Sequence, residues 1–158
     1  MKNQYNIESK LAELGLELPI PPEPAGDYVP FRQVGNLLFC AGVLSIVGET
    51  LVYKGAVGSE RTVEEGFRAA EVCALNVLAN IKSAIGDLDR VKQIVFVGGF
   101  VNAVVGFEQS PQVINGASQL FGKLFGEAGK HARAAVSVSG LPANATVEIQ
   151  VNVEIETD

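Results

Sequence analysis

With 158 residues, 47% of them hydrophobic, the chain has material for one sizeable core and none for a second domain. Eighteen acidic residues against 12 basic ones leave a net charge of −6, a field that repels phosphate backbones and anionic membrane surfaces, so neither nucleic acid nor membrane is expected as a partner. Two cysteines, Cys40 and Cys73, sit in apolar surroundings without metal-ligand spacing; reduced thiols in a cytoplasmic protein are expected, with a disulfide as the alternative.

The opening stretch, Met1 to Lys10, is polar and lacks the basic-then-apolar pattern of a signal peptide. Ile7, Leu11 and Leu14 fall at helical spacing within Asn6 to Leu16, and Gly15 stands where such a helix would stop. Pro19, Pro21, Pro22 and Pro24 then impose an extended entry, so residues 1–24 read as a helix plus linker and residues 25–158 as the domain proper. Phe31 to Val34 and Leu37 to Leu44 read as strands joined at Gly35-Asn36, with a short third strand over Thr50 to Lys54. Thr62-Val-Glu-Glu65 is a capping box, and the apolar positions from Val63 to Ile85 recur at gaps of three and four until Gly86. Val91 to Val105 is rich in β-branched residues and predicts a strand buried on both faces. Its most apolar part, Ile94 to Phe107, is shorter than the ~20 residues of a membrane span and is broken by glycines. Ser110-Pro111 offers an N-cap and a first-turn proline for a second long helix that ends at Gly126 or Gly129. Two final strands, Ala132 to Ser139 and Thr146 to Glu156, flank Gly140-Leu-Pro-Ala-Asn144.

This order describes an α+β domain in which one mixed sheet packs under two helices. Two helices cover only one face, yet Leu37 to Leu44 and Gln93 to Val105 are apolar at odd and even positions alike, so both faces call for cover. The second layer comes either from further copies in a closed homo-oligomer or from the N-terminal helix folded over the open face.

The last two strands carry the chemistry. Ala134, Val136 and Val138 alternate with Arg133, Ala135, Ser137 and Ser139, while Val147 to Ile155 alternate with Glu148, Gln150, Asn152 and Glu154. Assigning the apolar rows to the helices places Arg133 and Glu148 together on the helix-free face. There an arginine needs an anion, either a ligand carboxylate gripped in two parallel hydrogen bonds or a cross-strand partner such as Glu154. The pairing of these two strands stays open, between a simple hairpin and a crossover. His131, the single histidine, is read as a surface or capping residue or as a proton donor near the site. Gly98-Gly99 reads as a bulge or a close backbone approach, Ser137 and Ser139 lack a nucleophile elbow, and Glu64-Glu65 and Asp87 with Asp89 suit a helix start and a turn.

Five motifs in order, Gly26-Asp-Tyr28, Gly35-Asn-Leu-Leu-Phe-Cys-Ala-Gly42, Val113-Ile-Asn-Gly116, His131-Ala-Arg133, and Leu141-Pro142 followed by Val147-Glu148, resemble the Rid family. These are the YjgF-like reactive-intermediate deaminases, some of which were first labelled endoribonuclease L-PSP or translation inhibitor. The resemblance runs from about Ala25 to Glu156. It implies a chorismate-mutase-like fold, a homotrimer with three inter-subunit clefts, and cofactor-free hydrolysis of enamines and imines derived from amino acids to 2-keto acids and ammonia. By position, Arg133 would clamp the substrate carboxylate, Glu148 would hold the attacking water, and Tyr28, Gly42, Asn115 and Ala135 would line the cleft. Ala135 stands where many deaminase members carry a cysteine, and the longer N-terminus resembles a branch whose members mostly lack an assigned substrate.

Three functions follow as expectations: an imine or enamine hydrolase, a non-catalytic binder of small carboxylic or 2-keto acids, and a ribonuclease or translation inhibitor. The net charge and the lack of paired histidines speak against the third.

Overall fold

A computed structural model describes residues 6–157; Met1 to Tyr5, half of the polar opening, and Asp158 lie outside the described residues. The chain forms α1 (Ile7–Glu13), β1 (Phe31–Val34), β2 (Leu37–Cys40), β3 (Val43–Leu44), β4 (Ile46–Val47), β5 (Thr50–Leu51), α2 (Val63–Ile85), β6 (Val91–Asn102), α3 (Ser110–Phe125), β7 (Ala132–Val138) and β8 (Val147–Ile155). Short 3-10 turns at Leu88–Arg90, Gly126–Gly129 and Pro142–Asn144 join them.

The main sheet runs β1-β2-β8-β6-β7, with β3 also paired to β8, while β4 and β5 form a separate hairpin. β7 lies parallel to β6 and β8 lies antiparallel to it on the other side, so the last two strands are not a hairpin: β6 separates them and α3 makes the crossover. α2 and α3 cover one face, and Val147, Ile149, Val151, Val153 and Ile155 of β8 are buried beneath them. The helices form for the reasons legible in the sequence. Thr62 Oγ1 accepts from Glu65 N and the Glu65 carboxylate accepts from Thr62 N, which completes the capping box of α2.

Two expectations shift, and one open choice is decided. α3 begins one residue early, with Gln109 as its N-cap, because the Ser110 hydroxyl is turned into the fold, 2.6 Å from Ser137 Oγ, which itself donates to Phe107 O. The predicted strand from Leu37 to Leu44 is interrupted at Ala41-Gly42, leaving β2 and β3 as separate partners of β8. Of the Gly98-Gly99 pair, Gly99 is the close approach: a Cβ there would lie 2.5 Å from Ile114 Cγ1 of α3, whereas the register shifts of β6 fall earlier, between Val91 and Gln93 and between Ile94 and Phe96.

α1 does not fold over the open face. Ile7 and Leu11 are buried in the same core as the two long helices, Ile7 N donates to Asp89 Oδ1, and Lys10 Nζ donates to Leu124 O at the end of α3. Phe39, Phe96, Phe100, Ala134 and Val136 therefore remain on an uncovered face, with Phe39 and Val136 each more than 40% exposed. Cys40 and Cys73 are free, buried thiols, and burial pushes Cys40 up to about 12. No helix among the described residues is long and apolar enough to cross a membrane.

Candidate functional site

The six residues singled out in the sequence fall into two groups on opposite faces of the sheet. Glu148 sits opposite Phe100, which in turn sits opposite Val136, all on the uncovered face. Arg133 sits opposite Val97, which sits opposite the buried Val151, so the guanidinium lies on the helix side. The expectation that Arg133 and Glu148 share the helix-free face is thus corrected. The alternation in β7 was real, but β7 is an edge strand: its apolar row faces the uncovered side, and its polar row meets the polar flank of α3 at the margin of the helix layer. Two strand spacings and three residues of rise put the two Cα atoms about 14 Å apart within one chain.

The first group surrounds a cleft of about 650 Å³ at the β2–β3 interruption, lined by Tyr28, Phe31, Phe39, Gly42, Pro142 and Glu148 among others. Gly26 lets the Tyr28 ring fold back over the backbone, where Tyr28 Oη accepts from Ala25 N at 3.3 Å. Gly42 sets how closely Glu148 approaches the backbone. An added Cβ would lie 2.6 Å from Glu148 Oε1, so the carboxylate rests on the bare Cα of the glycine. Glu148 is half-buried, no hydrogen-bond donor among the described residues reaches its carboxylate, and burial holds its pKa above the usual range for glutamate. Pro142 enters the cleft from a turn in which Ala143 (φ 55°) and Asn144 (φ 57°) are both left-handed. The buried Asn102 braces that turn through Nδ2, which donates to Asn144 Oδ1 and Ala145 O.

The second group centres on Arg133, beside a hollow of about 270 Å³ that it shares with Ser118, Gly122, Gly129, Lys130 and His131. Arg133 Nη1 donates to Asn115 Oδ1 at 2.8 Å and to Ser118 Oγ at 3.1 Å. Both acceptors are neutral. Glu154, the proposed cross-strand partner, is occupied by Lys92, Gln93 and Asn36 instead, and no carboxylate among the described residues pairs with Arg133. The two Nη1 hydrogens are spent, and the Nε and Nη2 hydrogens along the opposite edge, the edge that suits a carboxylate in two parallel bonds, have no acceptor among the described residues. Ala135, two residues on, lies on the same side and packs against the core.

Sequence reasoning missed the interior of this second group. Ser118 is not among the residues singled out, and His131 is read there as a surface or capping residue or as a proton donor near the site; its Nε2 lies 2.9 Å from Ser118 Oγ and its Nδ1 lies 2.7 Å from Gly129 O. The signal was present as the spacing of Asn115 and Ser118, three apart and therefore on one flank of α3. Gly116 between them faces α2, where a Cβ would lie 2.0 Å from Phe67 O, so the tight helix pair fixes the flank that meets Arg133. Among the described residues no three His, Cys, Asp or Glu side chains converge as a metal site would.

Residues 8–155 match the family model described as "YjgF/chorismate_mutase-like, putative endoribonuclease". The chain is 41% identical over 152 residues to Protein TCP17 of Trypanosoma cruzi, with 94% of each covered. Among solved structures it resembles the protein Atu1372 of Agrobacterium tumefaciens, described as of unknown function, at 45% identity and a TM-score of 0.89 over 95% of this chain and 92% of that one. It also resembles a "putative endoribonuclease" of Shewanella oneidensis at 35% identity and a TM-score of 0.91, over 94% of this chain and 99% of that one.

Proposed function

Because the chain belongs to the YjgF/chorismate mutase-like family, which includes the Rid proteins, we propose that it hydrolyses small enamines or imines derived from amino acids to 2-keto acids and ammonia. The observation that carries this reading is the Arg133 guanidinium, held by two neutral acceptors while its Nε–Nη2 edge meets no acceptor among the described residues. The two groups lie on opposite faces of one sheet, so a working site needs Arg133, Asn115 and Ala135 of one copy to meet Tyr28, Gly42 and Glu148 of another. The uncovered apolar face supplies the surface on which copies would assemble, and a closed ring of three gives three such clefts.

In that cleft Arg133 holds the substrate carboxylate. An enamine such as 2-aminoacrylate first shifts a proton to carbon and becomes an imine, whose carbon is already electrophilic. Glu148 accepts a proton from water as the oxygen attacks that carbon and passes it to the nitrogen, and the hydroxyl so formed gives its own proton to the nitrogen. The C–N bond then breaks to release ammonia and leave the keto group. Orientation and one placed base supply most of what such a reaction needs. The raised pKa of Glu148 suits this role, because a carboxylate deprived of solvent is a stronger base.

The test is ammonia release from freshly generated 2-aminoacrylate by the purified protein, with loss of the gain in Arg133→Ala. A rate no faster than the uncatalysed one sinks the reading for that substrate. Ala135, standing where many deaminase members carry a cysteine, favours a second reading in which the same arginine binds 2-keto acids without turnover; saturable calorimetric binding with no product selects it. The family description's endoribonuclease label finds less support here, since the net charge is −6 and the single histidine is engaged on both nitrogens.

A further inference from the structure

The hydrogen bonds around Arg133 form a chain whose direction is set at both ends. At one end is Gly129 O, a carbonyl that can only accept, so His131 Nδ1 carries the proton that reaches it at 2.7 Å. At the other end is Arg133, which can only donate, so Ser118 Oγ accepts the Nη1 hydrogen at 3.1 Å. Ser118 owns one hydroxyl hydrogen, and the remaining partner within reach is His131 Nε2 at 2.9 Å. With Nδ1 protonated and the ring neutral, Nε2 is an acceptor and takes it. The ring packs edge-to-face with that of Phe121, the centroids 5.9 Å apart at an interplanar angle of 89°.

From this geometry we infer that Ser118 and His131 are positioning residues for Arg133, the imidazole committing the serine hydroxyl so that its lone pair faces the guanidinium and turns the Nε–Nη2 edge out for a carboxylate. The inference rests on the reading of Arg133 as the acid clamp, which it deepens by adding two residues that do not touch the acid.

The surroundings keep the ring neutral. Burial lowers the pKa of His131, its bond to Gly129 pulls the other way, and the charge on Arg133 lowers it further. Of the other charged groups nearby, Lys130 is turned to Glu127 and the two pair with each other; from α3 the ring meets the Ser118 hydroxyl and the Phe121 ring, both neutral. A carboxylate seated on Arg133 offsets the guanidinium charge, so its binding raises the His131 pKa.

Since the chain has one histidine, the tag-free protein gives a single imidazole signal. Nitrogen NMR at pH 8 is expected to show the Nδ1–H tautomer, the minor form of an imidazole in water, reverting toward Nε2–H in Ser118→Ala. Separate, slowly exchanging Nη resonances of Arg133 are expected in the wild type and averaged ones in Ser118→Ala and His131→Phe, whereas Ser118→Thr and His131→Gln, which restore the hydroxyl and the acceptor, keep them separate. Pyruvate is expected to bind about tenfold more weakly to Ser118→Ala and His131→Phe than to the wild type. An Nε2–H tautomer in the wild type, or freely rotating Nη groups there, overturns the inference. So does undiminished pyruvate affinity in both weakened variants. Slow Nη rotation with no pyruvate binding by the wild type leaves the positioning pair standing and counts against the acid-binding reading alone.

Discussion

Replacing Gly42 by alanine isolates the placement of Glu148 from its chemistry. The backbone at Gly42 is not left-handed, so alanine is tolerated there, and the atom its Cβ meets is the end of a flexible side chain. Moving Glu148 Oε1 from 2.6 Å to the 3.4 Å of ordinary van der Waals contact displaces the carboxylate by about 0.8 Å. A shift of roughly 1 Å in a reacting group costs on the order of a hundredfold in rate, so turnover of 2-aminoacrylate is expected to fall by about that factor in Gly42→Ala. The fold is expected to survive, with the melting temperature unchanged within about 2 °C, since losing glycine's freedom in the unfolded chain offsets the adjustment. Ammonia release at saturating substrate, read beside thermal melting, separates the two effects. Full turnover in a well-folded Gly42→Ala protein would refute the argument that Glu148 acts from the position the bare glycine gives it.

Glu148→Gln is expected to lower turnover by 10²- to 10⁴-fold, the usual range for a lost acid–base group. Its stability should move in the opposite direction. A carboxyl whose folded pKa is raised favours the protonated fold, so its contribution is fully present below the unfolded pKa and is lost as pH rises through the folded value. Melting curves should therefore place Glu148→Gln above the wild type at pH 8 and level with it near pH 4; a variant less stable at pH 8 contradicts this. The wild-type rate should decline on acidification with an apparent pKa above the ordinary glutamate range, read from the pH profile of kcat/KM. His131 follows the other sign. Its depressed pKa means that stability is lost as pH falls through the unfolded value of about 6.5, and His131→Gln should flatten that part of the melting profile. Gly116→Ala sets a Cβ 2.0 Å from the backbone oxygen of Phe67, which cannot rotate away, and is expected to cost about 3 kcal/mol in denaturant titration. A loss under 1 kcal/mol would show that α2 and α3 can part without penalty.

The elements were legible where local rules decide them. The capping box at Thr62, the run from Val63 to Ile85 and the alternation of β8 each carry their own signal, and the structure follows them closely. What failed depended on which elements neighbour each other. The alternation of β7 was read correctly, but a period of two assigns two faces without naming them, and taking apolar to mean helix-side inverted the strand. At an edge strand facing a second dry surface that equation breaks down. Strand order was invisible for a related reason, since nothing local tells a hairpin from a crossover once a strand formed earlier lies between. Arg133 and Glu148 stood out from the alternation of the last two strands, whereas Tyr28, Gly42, Asn115 and Ala135 came from motif resemblance alone. The link from His131 through Ser118 to Arg133 escaped because it forms only when α3 and β7 are set side by side.

Mixing two inactive variants tests the shared cleft most directly. Arg133→Ala and Glu148→Gln each spoil a different half, so subunits of the two, denatured together at equal amounts and reassembled, should by chance pair two intact halves in about a quarter of the clefts. Ammonia release from 2-aminoacrylate should then return to about a quarter of the wild-type rate. A mixture that stays as inactive as its two components would mean that copies do not complete each other's sites.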